Sequence, residues 1–323
     1  MSISKITFFC AALNAVLFIT PALATFPGQN GKIVFTSDQS GSWQLYTMDP
    51  DGRNMTQSTH MPPTDFDNWT PSFSPDGKRI AFCYGTGNSA SESALAEIFV
   101  INTDGTGLRQ LTHNGGGNGF PRWSPDGSHI AFTGTFPPAG SLAVMRSDGT
   151  DQQLLLTTGQ WKFWGEFLSI YTLDGQSIVF ESQFGGLVAG VWIMDSNGTH
   201  PRRLTSPRLE AIPIDVSPDG RHLLINDHFN TPIPSSTFVM DIDGEHRKRI
   251  LTPADNEHLG PVTYSPDGKK IIVYSDRLNS PFTFDIFTTN ADGSDLKRIA
   301  IAVASCPDTG NCVGASWGPK PSK

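Results

Sequence analysis

The tetrapeptide Ser-Pro-Asp-Gly stands four times in this chain, beginning at Ser74, Ser124, Ser217 and Ser265, with a degenerate fifth copy at Tyr171-Thr-Leu-Asp-Gly. A short apolar run follows each copy: Arg79-Ile-Ala-Phe, His129-Ile-Ala-Phe, Ser177-Ile-Val-Phe, His222-Leu-Leu-Ile and Lys270-Ile-Ile-Val. The copies recur at intervals of 46 to 50 residues. A fixed period of this length constrains the fold more than any single residue, because one small unit must stack on its copies to bury its own apolar faces.

The order within each unit is constant. An incoming strand ends in Phe73, Trp123, Ile170, Val216 or Tyr264, and the Pro-Asp-Gly turn and the apolar strand follow. After a variable loop comes a third strand, as in Glu97-Ile-Phe-Val-Ile, Val191-Trp-Ile-Met or Phe284-Asp-Ile-Phe-Thr. A second turn closes it at Asp104-Gly, Asp148-Gly, Asn197-Gly, Asp243-Gly and Asp292-Gly, and a fourth strand begins, as in Leu108-Arg-Gln-Leu-Thr. Proline presets φ in such a turn, and glycine takes the left-handed position that closes a tight hairpin. Each unit is therefore a four-stranded antiparallel meander. One such sheet cannot bury both faces, whereas sheets packed around an axis can.

The first unit lacks its incoming strand: Asn30-Gly-Lys-Ile-Val-Phe begins at the turn. The missing piece is at the other end, where Gly314-Ala-Ser-Trp-Gly-Pro319 matches Pro121-Arg-Trp-Ser-Pro125. The spacing thus predicts an all-β fold, a six-bladed β-propeller of four-stranded antiparallel blades, with the ring closed by the C-terminal strand joining blade 1. Closure removes the exposed sheet edges that an open array would carry. The expected organisation is a signal peptide over 1–24, the propeller over 25–319 and a tail over 320–323.

The Trp-Ser-Pro-Asp-Gly…Ile-Ala-Phe unit resembles the propeller repeats of the TolB family over almost all of the chain after residue 24. It lacks the Gly-His and Trp-Asp pairs of WD-repeat blades. TolB carries an α/β domain ahead of its propeller, whereas the first strand here follows the leader within a few residues, so the resemblance implies a propeller-only relative. TolB propellers bind the protein Pal, which implies a protein or peptide partner. Similar repeats precede the hydrolase domain of prolyl oligopeptidases, and no such domain is expected after Lys323. Oligogalacturonate lyases look similar at repeat level and use channel histidines with a metal.

Lys5, the apolar stretch Ile6 to Thr20 and the small-x-small site Ala22-Leu-Ala24 read as a cleaved secretory leader. The expected location is periplasmic or secreted, with no integral membrane segment after cleavage. Export permits a disulfide, and Cys306 and Cys312, bracketing Pro-Asp-Thr-Gly-Asn, are the expected pair; Cys83 reads as a buried thiol. A net charge of −8 argues against a nucleic-acid partner, which calls for a basic face. No cofactor is called for, and a monomer is expected.

In an antiparallel meander the two tight turns share one end of the ring. The other end carries the long, dissimilar loops, and function concentrates on loops held by a rigid scaffold. Candidate binding residues at the channel mouth and on these loops are Asp65, Asp67, Asn68, Asn118, Trp161, Trp164, Glu166, Glu210, Asp215 and His258, with Glu257 beside them. The bland reading of this ring is a solvated polar channel lining. Trp161, Phe163 and Trp164, in Gly159-Gln-Trp-Lys-Phe-Trp-Gly165, suit stacking on a sugar or gripping a peptide; the other reading is that Trp164 and Phe163 plug a gap beside the degenerate blade. His60, His113 and His258 are weak metal candidates, lacking paired ligand spacing.

The chain lacks a Gly-x-Ser-x-Gly elbow, a His-Glu-x-x-His motif and a phosphate loop. No catalytic residue is assigned. The sequence favours a protein- or peptide-binding module or scaffold of the cell envelope. The alternative left open is a propeller enzyme, a lyase or hydrolase of carbohydrate or another small substrate, with a polar, histidine-bearing site at the channel mouth.

Overall fold

The computed structural model describes residues 26–63, 70–85, 96–115, 117–134, 141–156, 168–183, 188–227, 236–254, 257–278, 283–305 and 314–322. They form six four-stranded antiparallel sheets, one per repeat. Blade 1 holds β1 (Asn30–Ser37), β2 (Gln44–Met48) and β3 (Thr56–Gln57). Blade 2 holds β4 (Ser72–Phe73), β5 (Arg79–Gly85), β6 (Ala96–Asn102) and β7 (Arg109–Gln110). Blade 3 holds β8 (Gly119–Trp123), β9 (His129–Gly134), β10 (Ser141–Arg146) and β11 (Gln153–Leu156). Blade 4 holds β12 (Ser169–Tyr171), β13 (Ser177–Ser182), β14 (Gly190–Asp195) and β15 (Arg202–Arg203). Blade 5 holds β16 (Ala211–Val216), β17 (His222–Asp227), β18 (Thr237–Asp241) and β19 (Lys248–Leu251). Blade 6 holds β20 (Leu259–Tyr264), β21 (Lys270–Ser275), β22 (Thr283–Asn290) and β23 (Lys297–Ser305), and β24 (Ala315–Pro319) returns to blade 1.

Closure is as the sequence predicts. β24 pairs with β1, setting Ile33 opposite Trp317 and Val34 opposite Ser316. The innermost strands contact one another in a cycle, β24 to β4, β8, β12, β16, β20 and back to β24. Six apolar clusters fill the six junctions between neighbouring blades. In β5, for example, Ile80 and Phe82 pack toward blade 1, while Ala81 and Cys83 pack toward blade 3. The two-residue alternation of a strand divides one apolar run between two interfaces, which is why these runs are apolar throughout.

The turns are built from their own side chains. In each of the five copies the serine or threonine hydroxyl donates to the turn aspartate Oδ1 at 2.5–2.7 Å. The same hydroxyl oxygen of the serine or threonine accepts the backbone N–H five residues on, at 2.9–3.0 Å. Gly149, in the second turn of blade 3, has φ +87°, and a Cβ there would lie 2.8 Å from the Leu111 carbonyl oxygen of blade 2. The equivalent glycines Gly52, Gly105, Gly198, Gly244 and Gly293 meet a carbonyl of the preceding blade in the same way. These glycines serve a local turn and a junction between blades at once.

Candidate functional site

The innermost strands are sheet edges facing the axis. Prolines at 121, 213 and 261 fall in them, as expected where no ladder N–H is needed. Three strands bulge beside these prolines: Ile214 is the extra residue between Pro213 and Asp215, Val262 between Pro261 and Thr263, and β8 shifts register between Gly119 and Arg122. A bulge re-aims the side chains that follow it. The positions two residues ahead of the turn, Ser72, Arg122, Ile170, Asp215, Thr263 and Ser316, line one axial cavity of about 50 Å³. Phe26 reaches the same cavity from the turn-bearing end, where Gly28 N–H donates to the Pro266 carbonyl at 3.1 Å.

This lumen holds opposite charges on different blades. Burial pushes the Arg122 guanidinium below its ordinary range, and the nearby Asp215 charge opposes that shift. Among the described residues no hydrogen bond or ion pair ties the Arg122 side chain. Asp215 is buried and well bound: Oδ1 accepts Val216 N–H at 2.9 Å, and Oδ2 accepts the Thr263 hydroxyl and Tyr264 N–H, each at 2.8 Å. It joins blade 5 to blade 6 inside the channel.

At the loop-bearing end, residues that immediately precede innermost strands come to related places. His258 precedes β20 and is half exposed, and its Nδ1 lies 2.8 Å from Oδ2 of the buried Asp276. Asp276 Oδ1 also accepts His258 N–H at 2.9 Å. In the neutral histidine Nδ1–H donates to the carboxylate, which leaves Nε2 an acceptor. Glu257 is buried. It receives Arg277 in a fork of two 2.8 Å bonds, together with the Ser275 hydroxyl and Ala254 N–H. Burial pushes its carboxyl up, but the bonds from Arg277, Ser275 and Ala254 outweigh that effect and hold it below the usual range.

Asn118 precedes β8 and is fully buried, its Nδ2 donating to Glu97 Oε2 at 2.8 Å and Asn114 Oδ1 at 2.5 Å. Glu97 also receives the Thr112 hydroxyl and Gly115 N–H. This network ties a connection to its blade, and Asn118 does not face the mouth as an exposed group. Glu210 precedes β16 and is half buried; His60 and His113 are exposed. Ahead of innermost strands, then, His258 is exposed, Glu210 half buried, and Asn118 and Glu257 buried, while Asp215 lines the axial cavity. Asp65, Asp67, Asn68, Trp161, Trp164, Glu166, Cys306 and Cys312 lie outside the described residues. Cys83 is buried and unbridged. Among the described residues, no three His, Cys, Asp or Glu side chains converge for a metal ion.

Sequence reasoning missed Arg122, Phe26 and Asp276. Arg122 had a signal: it is the lone cation at the position where the other units carry Ser72, Ile170, Asp215, Thr263 and Ser316.

A larger groove, about 710 Å³, lies at the turn-bearing end between blades 5 and 6, lined by Pro27, Pro218, Asp219, Val239, Asp241 and Ile250 among others. Its His246–Asp241 pair, at 2.7 Å, recurs as His200–Asp195 at 2.7 Å and Asn54–Asp49 at 2.6 Å. His246, His200 and Asn54 have φ of +51°, +52° and +53°. These pairs brace a turn in three blades and explain the histidines there without a ligand.

Comparison with known proteins agrees with this geometry. Residues 63–231 match the TolB beta propeller domain. The Tol-Pal system protein TolB of Francisella tularensis subsp. mediasiatica is 30% identical over 230 residues, covering 70% of this chain and 49% of that protein. Dipeptidyl-peptidase 5 of Porphyromonas endodontalis is 25% identical over 236 residues, covering 68% of this chain and 30% of that protein. The chain spans less than half the length of these curated relatives. Among solved structures, TolB from Acinetobacter baumannii superposes with a TM-score of 0.70 at 18% identity, over 92% of this chain and 69% of that one. An oligogalacturonate lyase in complex with manganese superposes with a TM-score of 0.55 at 12% identity, over 86% of this chain and 77% of that one, a likeness of fold alone. The repeat, the ring and the alignment together place the chain in the TolB β-propeller family.

Proposed function

We propose that this protein is an exported propeller module that binds a protein or peptide partner of the cell envelope through its loop-bearing end. One observation carries this reading: the two ends of the ring are unequal. At one end, serine, aspartate, proline and glycine are consumed in turns and blade junctions. At the other, His258 and Glu210 immediately precede innermost strands, in connections whose sequences differ from blade to blade. The name of the Tol-Pal system relatives supports an envelope role, as does the leader-like segment 1–24. Among the described residues, no helix is long and apolar enough to cross a membrane.

The test is a crosslinked pulldown from envelope extract with the protein starting at Thr25. A partner retained by Asp219→Asn, at the turn end, and lost by Glu210→Lys with His258→Ala supports the reading. Recovery of no partner, or equal loss from both ends, refutes it. The second reading, an enzyme of carbohydrate or another small substrate, draws on the His258–Asp276 pair, a carboxylate-oriented imidazole of the kind used as a general base. It expects turnover that His258→Ala abolishes.

A further inference from the structure

We infer that the axial lumen is a receptor for one small carboxylate, held by Arg122. The guanidinium carries five N–H donors in a planar fork that matches a carboxylate. It lies in the cavity wall with none of those donors engaged by a described residue. Asp215 balances part of its charge, but its oxygens bond Val216 N–H, the Thr263 hydroxyl and Tyr264 N–H, and no hydrogen bond or ion pair among the described residues joins it to Arg122. Ser316 Oγ accepts Phe73 N–H at 3.3 Å, which leaves the Ser316 O–H to donate into the same space.

Size and surroundings set the class of ligand. About 50 Å³ accommodates a formate- or acetate-sized group and excludes a sugar. Ile170, Ile214 and Val262 give the lumen apolar walls, with Phe26 beside them. In such a low-dielectric enclosure a paired charge is worth more than in water. Asp215 repels the guest, so affinity is modest and rises when that charge is removed. The carboxylate is either a free small acid or the tip of an acidic side chain, and the inference holds whether or not the partner-binding reading does.

The experiment is thermal unfolding of the protein starting at Thr25 in sodium formate, against sodium chloride at equal ionic strength, with ¹³C-formate line broadening as a direct readout. The wild type should show a saturable rise in Tm. Arg122→Met should weaken formate binding by at least about tenfold, and Asp215→Asn should tighten it. Should Arg122→Met fail to fold, Arg122→Lys, which keeps the charge but loses the fork, should bind less tightly than the wild type. Displacement of formate by N-acetyl-glutamyl-N-methylamide at lower concentration assigns the site to a side-chain tip, and formate held against it assigns a free acid. No saturable binding, or binding unchanged in both Arg122 variants and Asp215→Asn, overturns the inference.

Discussion

Replacing Gly149 by alanine tests whether the second turn holds the ring together or merely closes a hairpin. Gly149 has φ +87°, and its added Cβ would meet the Leu111 carbonyl oxygen at 2.8 Å and Leu111 Cα at 3.2 Å. Gly41, with φ +86°, has nothing within 4 Å of an added Cβ, so it reports the backbone cost alone. Placing alanine in the left-handed region costs about 1–2 kcal/mol. Forcing a methyl against a neighbouring backbone adds about 1–3 kcal/mol, since the junction must spread to admit it. Gly41→Ala should therefore lose about 1–2 kcal/mol and Gly149→Ala about 2–5 kcal/mol. Alanine restricts the unfolded chain equally in both, so that effect cancels in the comparison. Equilibrium urea unfolding measures the two losses. In thermal unfolding each kcal/mol corresponds to roughly 2 °C for a chain of this size. Equal destabilisation of the two variants would show that the blade junction does not depend on this contact and would refute the argument.

Trp317→Ala removes a buried indole that packs in the cluster between blades 1 and 6 and donates to the Gly31 carbonyl, so a loss of about 3–5 kcal/mol in urea unfolding is expected. Burial pushes the carboxyls of Asp76, Asp126, Asp219 and Asp267 up, but the serine hydroxyl and a backbone N–H outweigh it and hold each below the usual range. A carboxyl depressed on folding contributes stability that is whole above its unfolded value, about 3.9, and is lost as pH falls through the folded value, so Ser217→Ala should shift acid unfolding to higher pH. The hydrogen bond and charge of Asp241 raise His246 above its ordinary value. The stability this supplies is present below pH about 6.5 and fades as pH rises through the raised value, and Asp241→Asn should bring the NMR titration of His246 back down. Arg277→Met should raise the Glu257 pKa, read by carboxyl NMR, because it removes a charged fork and leaves the burial.

The blades were legible because their signals are local. Pro-Asp-Gly sets its own dihedrals, and an apolar run of four residues needs cover on both faces wherever it lies. The serine of Ser-Pro-Asp-Gly is a finer case. Its repetition was plain, but its two hydrogen bonds, to the turn aspartate and to the N–H five residues on, emerged only with the coordinates. The site was less legible. Asn118 and Glu257 read as mouth residues from their place before innermost strands, yet both turn inward, Asn118 to Glu97 and Glu257 to Arg277. Polar residues in a connection look alike in sequence whether they meet water or each other.

Sequence alone determined the repeat, the number of blades and the closing of the ring by the strand around Trp317, since turn chemistry and strand alternation act within a few residues. Tertiary structure alone decided which polar groups are satisfied. Asp215 finds Thr263 and Tyr264 across a blade junction, and His258 finds Asp276 across its own blade. Arg122, from blade 3, shares the axial cavity with Asp215 and finds no acceptor among the described residues. Hydrogen bonds are won between groups distant in the chain, and only the closed ring brings those groups within reach.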